Sequence, residues 1–328
     1  MPVDPPLPAV PDDVDFNVGS FTGPQGLSLH TYRFGLRGVR YQGVIWLCHG
    51  YASHTIHEWF LPKSPGEQHN MWEGTLIDLL VRERYLVCTL DHQGHGRSEG
   101  ARGLRCFFES FDELPDESLA YLSTVLLKDP DLAAVPLFVV AISMGGATAV
   151  RMVQKMPELF SGVAFLAPML SLEEVKKELI GCCIRNGHLM PIADLLDWII
   201  PTFPLAKPAK NTMHPLSQKE VDEDPLSYQG NVRVRVANAF RKVTDSFMSG
   251  SLRDVCTPFI TIHASRDTFT DPSGSAKLLK LAKSEDKSYV KVGLGEELDL
   301  DMWHGLTSEP GFDKVFSCVV SWIRERSR

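Results

Sequence analysis

The sequence has little of what marks membrane-spanning or nucleic-acid-binding proteins. No run approaches about 18 uninterrupted apolar residues, the length that a membrane-spanning helix needs. There is no block of lysine or arginine, and the formal net charge of −8 disfavours both nucleic acid as a partner and electrostatic recruitment to a membrane. Residues 1–15 are acidic and proline-rich, unlike a signal or transit peptide. We therefore expect a cytoplasmic protein without a nucleic-acid partner.

Cysteine is also used sparingly. The seven cysteines are an odd number without the spacing of a disulfide framework. Cys48, Cys88 and Cys256 lie in or beside apolar, strand-like runs, so we expect buried, reduced thiols. No Cys/His set has zinc spacing, because His54 and His57 alone supply too few ligands. The sequence predicts no metal site.

A glycine-rich segment, DHQGHGRSEG (residues 91–100), could be taken for a dinucleotide-binding loop. Its glycines at positions 94, 96 and 100 miss the G-x-G-x-x-G spacing, and it contains no lysine that could bind a phosphate. We expect a rigid loop beside the functional site and no cofactor.

Short apolar runs dominate the remaining sequence. Continuous runs of this length are typical of strands buried on both faces of a parallel sheet, and helical patterns separate most of them. An antiparallel pair precedes them. The sequence predicts an α/β fold with a mostly parallel eight-stranded sheet flanked by helices. The pair is NVGSFTG and LSLHTYRF, and the runs are GVIWLCHG (43–50), YLVCTLDH (85–92), PLFVVAIS (136–143), GVAFLAP (162–168), PFITIHAS (258–265) and SYVKVG (288–293).

One interval interrupts this rhythm. Between FLAPML and PFITIHA the sequence shows helical patterns and prolines but no clear strand, and residues 188–208 are strongly apolar. We predict a helical cap inserted at about residues 170–240 over the strand ends, although two ordinary packing helices would fit equally well. Residues 1–15 are predicted to be a flexible tail, and residues 16–328 the domain that carries the cap.

The segment AISMGGATAV (141–150) resembles a strand-to-helix turn that exposes a nucleophilic serine. Small residues are needed around Ser143 because backbone segments crowd there. Gly145 and Gly146 meet this need, while Ala141 adds a methyl group. A serine is also a common helix N-cap, so the segment alone does not decide between the two roles. A nucleophilic Ser143 should have a positive φ.

Two distant residues complete the pattern. His304 follows the last predicted strand, at the carboxyl end of the sheet, where ligand sites of α/β proteins lie. Asp271 precedes Pro272 and a helical pattern, which predicts a capping role and leaves Asp267 as the acid. The order Ser143, Asp267, His304 is the chain order of the triad in α/β hydrolases.

The turn after the first parallel strand has the sequence CHGYASH (48–54) and lies near the predicted site. A His-Gly turn there lets a backbone N–H face Ser143. We predict that the N–H groups of Tyr51 and Met144 form an oxyanion hole. His49 is expected to be structural.

Taken together, these motifs resemble those of the monoglyceride lipase and lysophospholipase group of α/β hydrolases, from about residue 20 to the end. The resemblance implies Ser143 as the nucleophile, Asp267 and His304 as its partners, and Tyr51 and Met144 as oxyanion donors. It also implies a cap that admits an acyl chain and leans on a membrane surface. The motifs are HGYASH, DHQGHGRSEG, AISMGG, HASRDTFTDP, DPLSYQGNVRVRVANAFRKV and MWHGLTSEP.

The sequence departs from the group in two places. Ala141 replaces the first glycine of the serine turn, and GEELDLD (295–301) is unusually acidic and could place Asp299 or Asp301 near the triad.

The expected reaction is hydrolysis of a monoacylglycerol, a small lipid ester, to fatty acid and glycerol through an acyl-enzyme intermediate, with peripheral membrane contact through the cap. A lysophospholipase or a phenolic-ester esterase stays open, as does a non-catalytic receptor or scaffold on the same fold. The oligomeric state also stays open.

Overall fold

The computed structural model describes residues 5–173, 175, 179–180, 184–185, 192–208 and 210–327. Eight strands form the main sheet, and every predicted run contributes one of them. The strands are β1 Val14–Thr22, β2 Ser28–Leu36, β3 Gly43–Cys48, β4 Tyr85–Leu90, β5 Leu137–Ile142, β6 Gly162–Leu166, β7 Phe259–Ala264 and β8 Lys287–Val292.

The sheet order is β1-β2-β4-β3-β5-β6-β7-β8. β1 is antiparallel to β2 and β2 to β4, whereas every other neighbouring pair is parallel. The predicted mostly parallel eight-stranded sheet is therefore confirmed. The α-helices of the described residues are α1 Thr55–Trp59, α2 Leu76–Arg82, α3 Glu113–Thr124, α4 Pro130–Ala133, α5 Met144–Lys155, α6 Ala193–Ile199, α7 Pro215–Glu223, α8 Val234–Ser249, α9 Ser273–Leu281 and α10 Phe312–Arg326.

Both faces of the central strands are buried, which explains their continuous apolar sequences. Along β3, Val44 and Trp46 pack into one hydrophobic cluster, while Ile45 and Leu47 pack into the other. Helices α3 and α5 cover the first face, and α2 and α10 cover the second. Two covered faces leave the loops at the carboxyl ends of the parallel strands to build a site.

The interval between β6 and β7 contains α6, α7 and α8, together with two short strand pairs that were not apparent in the sequence. Leu179–Ile180 pairs with Ile184–Arg185, and Pro204–Ala206 pairs with Val232–Arg233. Residues 174, 176–178, 181–183, 186–191 and 209 of the predicted cap lie outside the described residues. The cap and its bounds at about 170–240 stay a prediction, as does the tail over residues 1–15, of which residues 1–4 are not described.

The predicted thiol environments are correct for two of three cysteines. Cys48 and Cys88 are buried in β3 and β4. Cys256 is exposed, because it lies in the turn before β7 and not in the strand. Cys182 and Cys183 lie outside the described residues. No helix in the described ranges is long and apolar enough to cross a bilayer.

Candidate active site

Ser143 occupies the turn between β5 and α5. Its φ of 54° and ψ of −121° confirm the positive φ expected for this turn. A non-glycine residue in such a conformation costs about 1–3 kcal/mol, so the surroundings must hold it there. The Ser143 N–H donates to the Leu166 carbonyl at 3.1 Å, and the Ser143 carbonyl accepts from the Met169 N–H at 2.8 Å. Both bonds tie the strained turn to the end of β6.

Close packing explains the glycines after the serine. A Cβ at Gly145 would lie 2.3 Å from the Cys48 carbonyl oxygen, and one at Gly146 would lie 2.5 Å from the Pro168 Cβ. Ala141, in contrast, is an ordinary buried residue of β5, paired with neighbours on β3 and β6. The methyl group therefore fits at this position.

The structure brings Asp267 and His304 together. The loop after β7 carries Asp267, and the loop after β8 carries His304. Asp267 Oδ2 lies 2.7 Å from His304 Nδ1, and the Asp267 side chain is fully buried. With Asp267 ionised, Nδ1 carries the proton and donates it to the carboxylate, which leaves Nε2 as the basic nitrogen.

Further hydrogen bonds fix Asp267. Its Oδ1 accepts from the N–H groups of Phe269 at 2.7 Å and Thr270 at 2.9 Å, and its Oδ2 accepts from Thr270 Oγ1 at 2.9 Å. The Nε2 of buried His263 lies 3.2 Å from Oδ2. Sequence reasoning missed Thr270 and His263, although both lie within four residues of Asp267.

The other acidic candidates have different contacts. Helix α9 begins at Ser273, and Asp271 Oδ1 accepts the Ser273 N–H at 2.9 Å. Asp301 pairs with Arg266 at 3.0 Å. Asp299 accepts the Gly295 N–H at 2.9 Å. Within the described residues neither Asp299 nor Asp301 contacts Asp267 or His304, so the expectation that one of them joins the site was wrong. Both residues are exposed.

Glu309 organises the loop around His304, and the sequence analysis did not identify it. Its buried carboxylate accepts from the backbone N–H groups of Trp303 at 2.6 Å, Gly305 at 2.9 Å and His304 at 3.2 Å. It also accepts from Asn211 Nδ2 at 2.7 Å. One side chain thus links the His304 loop to the segment between β6 and β7. The only signal in the sequence was an acid five residues after His304.

Electrostatics favour a charged pair. Burial lowers the pKa of His304, but the Asp267 carboxylate more than offsets this, with smaller contributions from Glu309 and Glu58, and the pKa lies above its ordinary value. Burial acts to raise the pKa of Asp267, but His304 and His263 lower it below its ordinary value. Asp267 is therefore ionised at neutral pH, as a residue that orients the imidazole must be.

Two backbone N–H groups beside Ser143 are available to a ligand. Within the described ranges, the N–H groups of Tyr51 and Met144 have no protein acceptor. His49 stabilises the turn that carries Tyr51. Its Nδ1–H donates to the Gly50 carbonyl at 2.8 Å, and its Nε2 accepts the His92 N–H at 2.9 Å. This leaves the Tyr51 and Met144 groups free to bind a developing oxyanion.

Ser143 lies between two cavities of different character. The apolar cavity, of about 210 Å³, extends from Ser143 and Tyr51 beneath α6 and α8. The second cavity, of about 150 Å³, contains Ser143 and His304, and most of its lining residues belong to the 50–58 and 304–308 segments. We call it the polar cavity because Ser, Thr, His and Glu side chains are among these residues. In the part of the chain that the structure describes, no group of three or more His, Cys, Asp or Glu side chains could hold a metal ion.

A family model described as serine aminopeptidase, S33 (Hydrolase_4), matches residues 66–310. The chain belongs to this family. The matched range contains Ser143, Asp267 and His304 but begins after the Tyr51 turn. The family model thus matches most of this chain.

Two curated relatives match most of their length. The chain is 28% identical to the caffeoylshikimate esterase of Arabidopsis thaliana over 310 residues, 93% of this chain and 84% of that protein. It is 26% identical to the monoglyceride lipase of Homo sapiens over 277 residues, 82% of each chain.

Solved structures share the fold. A soluble variant of monoglyceride lipase from Saccharomyces cerevisiae, in complex with a substrate analog, has a TM-score of 0.75 at 19% identity and covers 98% of this chain and 99% of its own. The monoacylglycerol lipase of Paleococcus ferrophilus has a TM-score of 0.68 at 19% identity, with coverage of 91% and 99%. With the family match, these similarities identify the chain as a monoglyceride lipase-like α/β hydrolase and a carboxylic ester hydrolase.

Proposed function

We propose that the protein hydrolyses monoacylglycerols, with Ser143, His304 and Asp267 as its catalytic triad. The observation that carries this proposal is that Ser143 lines both an apolar cavity and a second cavity whose lining includes hydroxyl, imidazole and carboxylate side chains. A monoacylglycerol has the same division, because its ester joins a hydrocarbon chain to a small polyol.

The apolar cavity suits the acyl chain. Its walls are mainly aliphatic and aromatic side chains, and most of them belong to the segment between β6 and β7. Each methylene group buried there contributes about 0.8 kcal/mol to binding, so a long chain is strongly favoured over a short one. The side chains include Met169, Leu172, Leu196, Leu205, Val232, Val234, Phe240 and Phe269.

The mechanism follows from the roles of the three residues. Asp267 holds His304 with Nδ1 protonated, and Nε2 accepts the Ser143 proton as Oγ attacks the ester carbonyl. The N–H groups of Tyr51 and Met144 stabilise the oxyanion, and each contributes about 100–1,000-fold to the rate. His304 then protonates the leaving glycerol oxygen. Water, activated by the same imidazole, releases the fatty acid from Ser143.

The polar cavity suits the leaving glycerol. Hydroxyl groups line it on the side of His304, where the alcohol leaves, and a carboxylate lies among them. The lining groups are those of Ser53, Glu58, Ser227, Thr307 and Ser308.

The surface beside the apolar cavity supports contact with a lipid membrane. Ala193 and Leu196 of α6 line the cavity, while Leu195 and Trp198 on the same helix are 55% and 79% exposed. A contiguous apolar patch of this kind marks an interaction site, and a lipid surface is where a monoacylglycerol resides. We call this surface the α6 patch, defined by Ile192, Leu195, Trp198, Ile199, Ile200 and Phe203.

A phenolic ester is the second candidate substrate, since the caffeoylshikimate esterase matches 93% of the chain. Comparing kcat/KM on 2-monooleoylglycerol, lysophosphatidylcholine and a caffeoyl ester separates the candidates. We expect 2-monooleoylglycerol to be cleaved at least tenfold better than the others. A wide preference for the aromatic or a short-chain ester would exclude the monoacylglycerol assignment.

The nucleophile is tested separately with a fluorophosphonate probe. The wild-type protein should become labelled, and Ser143→Ala should not. Equal labelling of the two proteins, or none of the wild type, would mean that Ser143 is not an activated nucleophile and would favour a non-catalytic scaffold.

A further inference from the structure

We infer that the polar cavity selects for an uncharged alcohol, and that Glu58 is the residue that discriminates against esters of anionic alcohols. This inference rests on the proposed function, because it takes the polar cavity as the site of the leaving alcohol. It narrows the substrate class to acyl esters of neutral polyols.

Glu58 is held firmly at the cavity wall. Its Oε2 accepts the Gly50 N–H at 3.2 Å, and its Oε1 accepts from Thr307 Oγ1 at 2.8 Å. Both oxygens act as acceptors, as in an ionised carboxylate. These bonds connect the turn that carries Tyr51 with the loop that carries His304, so the carboxylate cannot swing away from an incoming ligand without breaking both.

The carboxylate lies close to the reacting serine. A Cβ placed on Gly50 would lie 3.3 Å from Glu58 Oε2 and 3.4 Å from the Ser143 Cβ. Glu58 and Ser143 therefore flank the same backbone position. An alcohol bound next to Ser143 is then within a few ångströms of a negative charge.

Positive charge that could balance Glu58 is scarce around this cavity. Its lining contains no lysine or arginine within the described residues. Burial lowers the pKa of His57 well below its ordinary value, and the neighbouring His69 lowers it further, although Asp224 acts in the opposite direction. The His57 ring is therefore neutral near pH 7. When His304 is protonated, its charge is matched by Asp267 at 2.7 Å.

A second carboxylate, that of Asp224, contacts two residues that line the polar cavity. Asp224 Oδ2 accepts from Ser227 Oγ at 2.6 Å and lies 3.4 Å from His57 Nδ1. Asp224 Oδ2 also lies 2.7 Å from His54 Nε2, so the charge argument depends on Glu58. Like charges about 5–6 Å apart in a partly buried site repel strongly enough to reduce reaction of an anionic ester by about 100-fold.

This selection separates the two substrate classes suggested by the relatives. Glycerol is neutral, whereas shikimate carries a carboxylate, and a glycerol phosphate carries even more charge. The polar cavity thus favours the leaving group of a monoacylglycerol over either anion.

The test uses two substrates that differ only in charge: 3-O-decanoylglycerate and its primary amide, 3-O-decanoylglyceramide, both below their micellar concentrations. We expect wild-type kcat/KM to be about 30- to 100-fold higher for the amide. Glu58→Gln should reduce this ratio to within about threefold. Because both substrates have the same acyl chain and ester, a general effect of the variant on the Gly50 turn cancels in the ratio.

Two further variants complete the test. Glu73→Gln removes one exposed charge outside the cavity and should leave the wild-type ratio unchanged. Val221→Lys adds a cation to the cavity wall from α7 and should lower the ratio, even if Glu58→Gln does not fold.

Equal wild-type rates on the two esters, or an unchanged ratio in Val221→Lys and in any folded Glu58→Gln protein, would overturn the charge selection. Failure of the wild type to cleave either 1-decanoylglycerol or the amide would instead overturn the proposed function itself.

Discussion

At the residue scale, the candidate site depends on three carboxylates with different tasks: Asp267 and Glu309 are buried, and Glu58 is half-buried. Asp267 contacts the His304 ring, whereas Glu309 binds the backbone on both sides of it. Glu58 ties the same loop to the Gly50 turn through Thr307. All three raise the pKa of His304 against the opposing effect of burial. The histidine loop is therefore positioned and tuned by the same negative charges.

The raised pKa of His304 predicts the pH dependence of hydrolysis. His304 must be neutral to accept the Ser143 proton, so kcat/KM should fall as the pH drops through the pKa of the free enzyme. We expect the midpoint above the ordinary histidine value of about 6.5. Glu309→Gln removes one of the charges that raise this pKa and should move the midpoint down.

The matched control for this profile is Asp301→Asn, which removes an exposed charge on the same loop. Its midpoint should equal that of the wild type. A wild-type midpoint at or below 6.5 would contradict the assignment of His304 as a base coupled to Asp267.

The sequence led to Ser143, Asp267 and His304 because each residue follows a strand whose apolar run is easy to recognise. The structure does have these residues in the loops after β5, β7 and β8. Thr270, Glu309 and Glu58 could not be found in this way. Thr270 binds the Asp267 carboxylate, Glu309 binds backbone N–H groups and the Asn211 amide, and one partner of Glu58 lies 249 positions away in the chain. Such contacts leave no periodic pattern in the sequence.

At the scale of elements, the turn into α5 decides how closely this helix approaches β3. Gly145 faces the Cys48 carbonyl at the end of β3, and this contact leaves no room for a side chain. The absence of a Cβ there lets α5 begin directly after Ser143, whose strained backbone is bonded to Leu166 of β6 and to Met169. The close helix–strand packing and the strained turn at Ser143 thus have one cause.

Gly145→Ala should destabilise the protein by about 1–3 kcal/mol or more, because its Cβ would lie 2.3 Å from a backbone oxygen that cannot move freely. The midpoint of urea unfolding measures this change. Gly19→Ala in edge strand β1 is the control, since its Cβ would meet only the Thr31 side chain, at 3.3 Å. It should change the stability by less than about 0.5 kcal/mol. Equal midpoints for the two variants would contradict the packing argument.

The strands of the main sheet could be predicted from their apolar sequences, whereas the short strands between β6 and β7 could not. Strands covered on both faces must be continuously apolar, and β3 to β7 have such sequences. The pairs Leu179–Ile180 with Ile184–Arg185 and Pro204–Ala206 with Val232–Arg233 are two or three residues long per strand, which is too short to show any period.

At the scale of the whole molecule, helix α6 has one side on the apolar cavity and another on the surface. Ala193 and Leu196 line the cavity, and Leu195 and Trp198 are exposed beside it. For the proposed membrane contact, the net charge of −8 disfavours attraction to anionic lipids, so we expect burial of apolar side chains to provide the binding. A substrate leaving the lipid would then meet the cavity directly behind α6.

The double variant Leu195→Ser/Trp198→Ser should therefore bind neutral phosphatidylcholine vesicles at least tenfold more weakly than the wild type, as measured by cosedimentation, because two exposed apolar side chains are lost. Hydrolysis of monoolein in these vesicles should slow in parallel, while hydrolysis of a water-soluble short-chain ester stays unchanged because the triad is untouched. Val125→Ser, which replaces a 43% exposed apolar residue at the end of α3, should keep wild-type binding. If the double variant bound vesicles as well as this control, the α6 patch would not be the membrane contact, and the exposed side chains of α6 would need another partner.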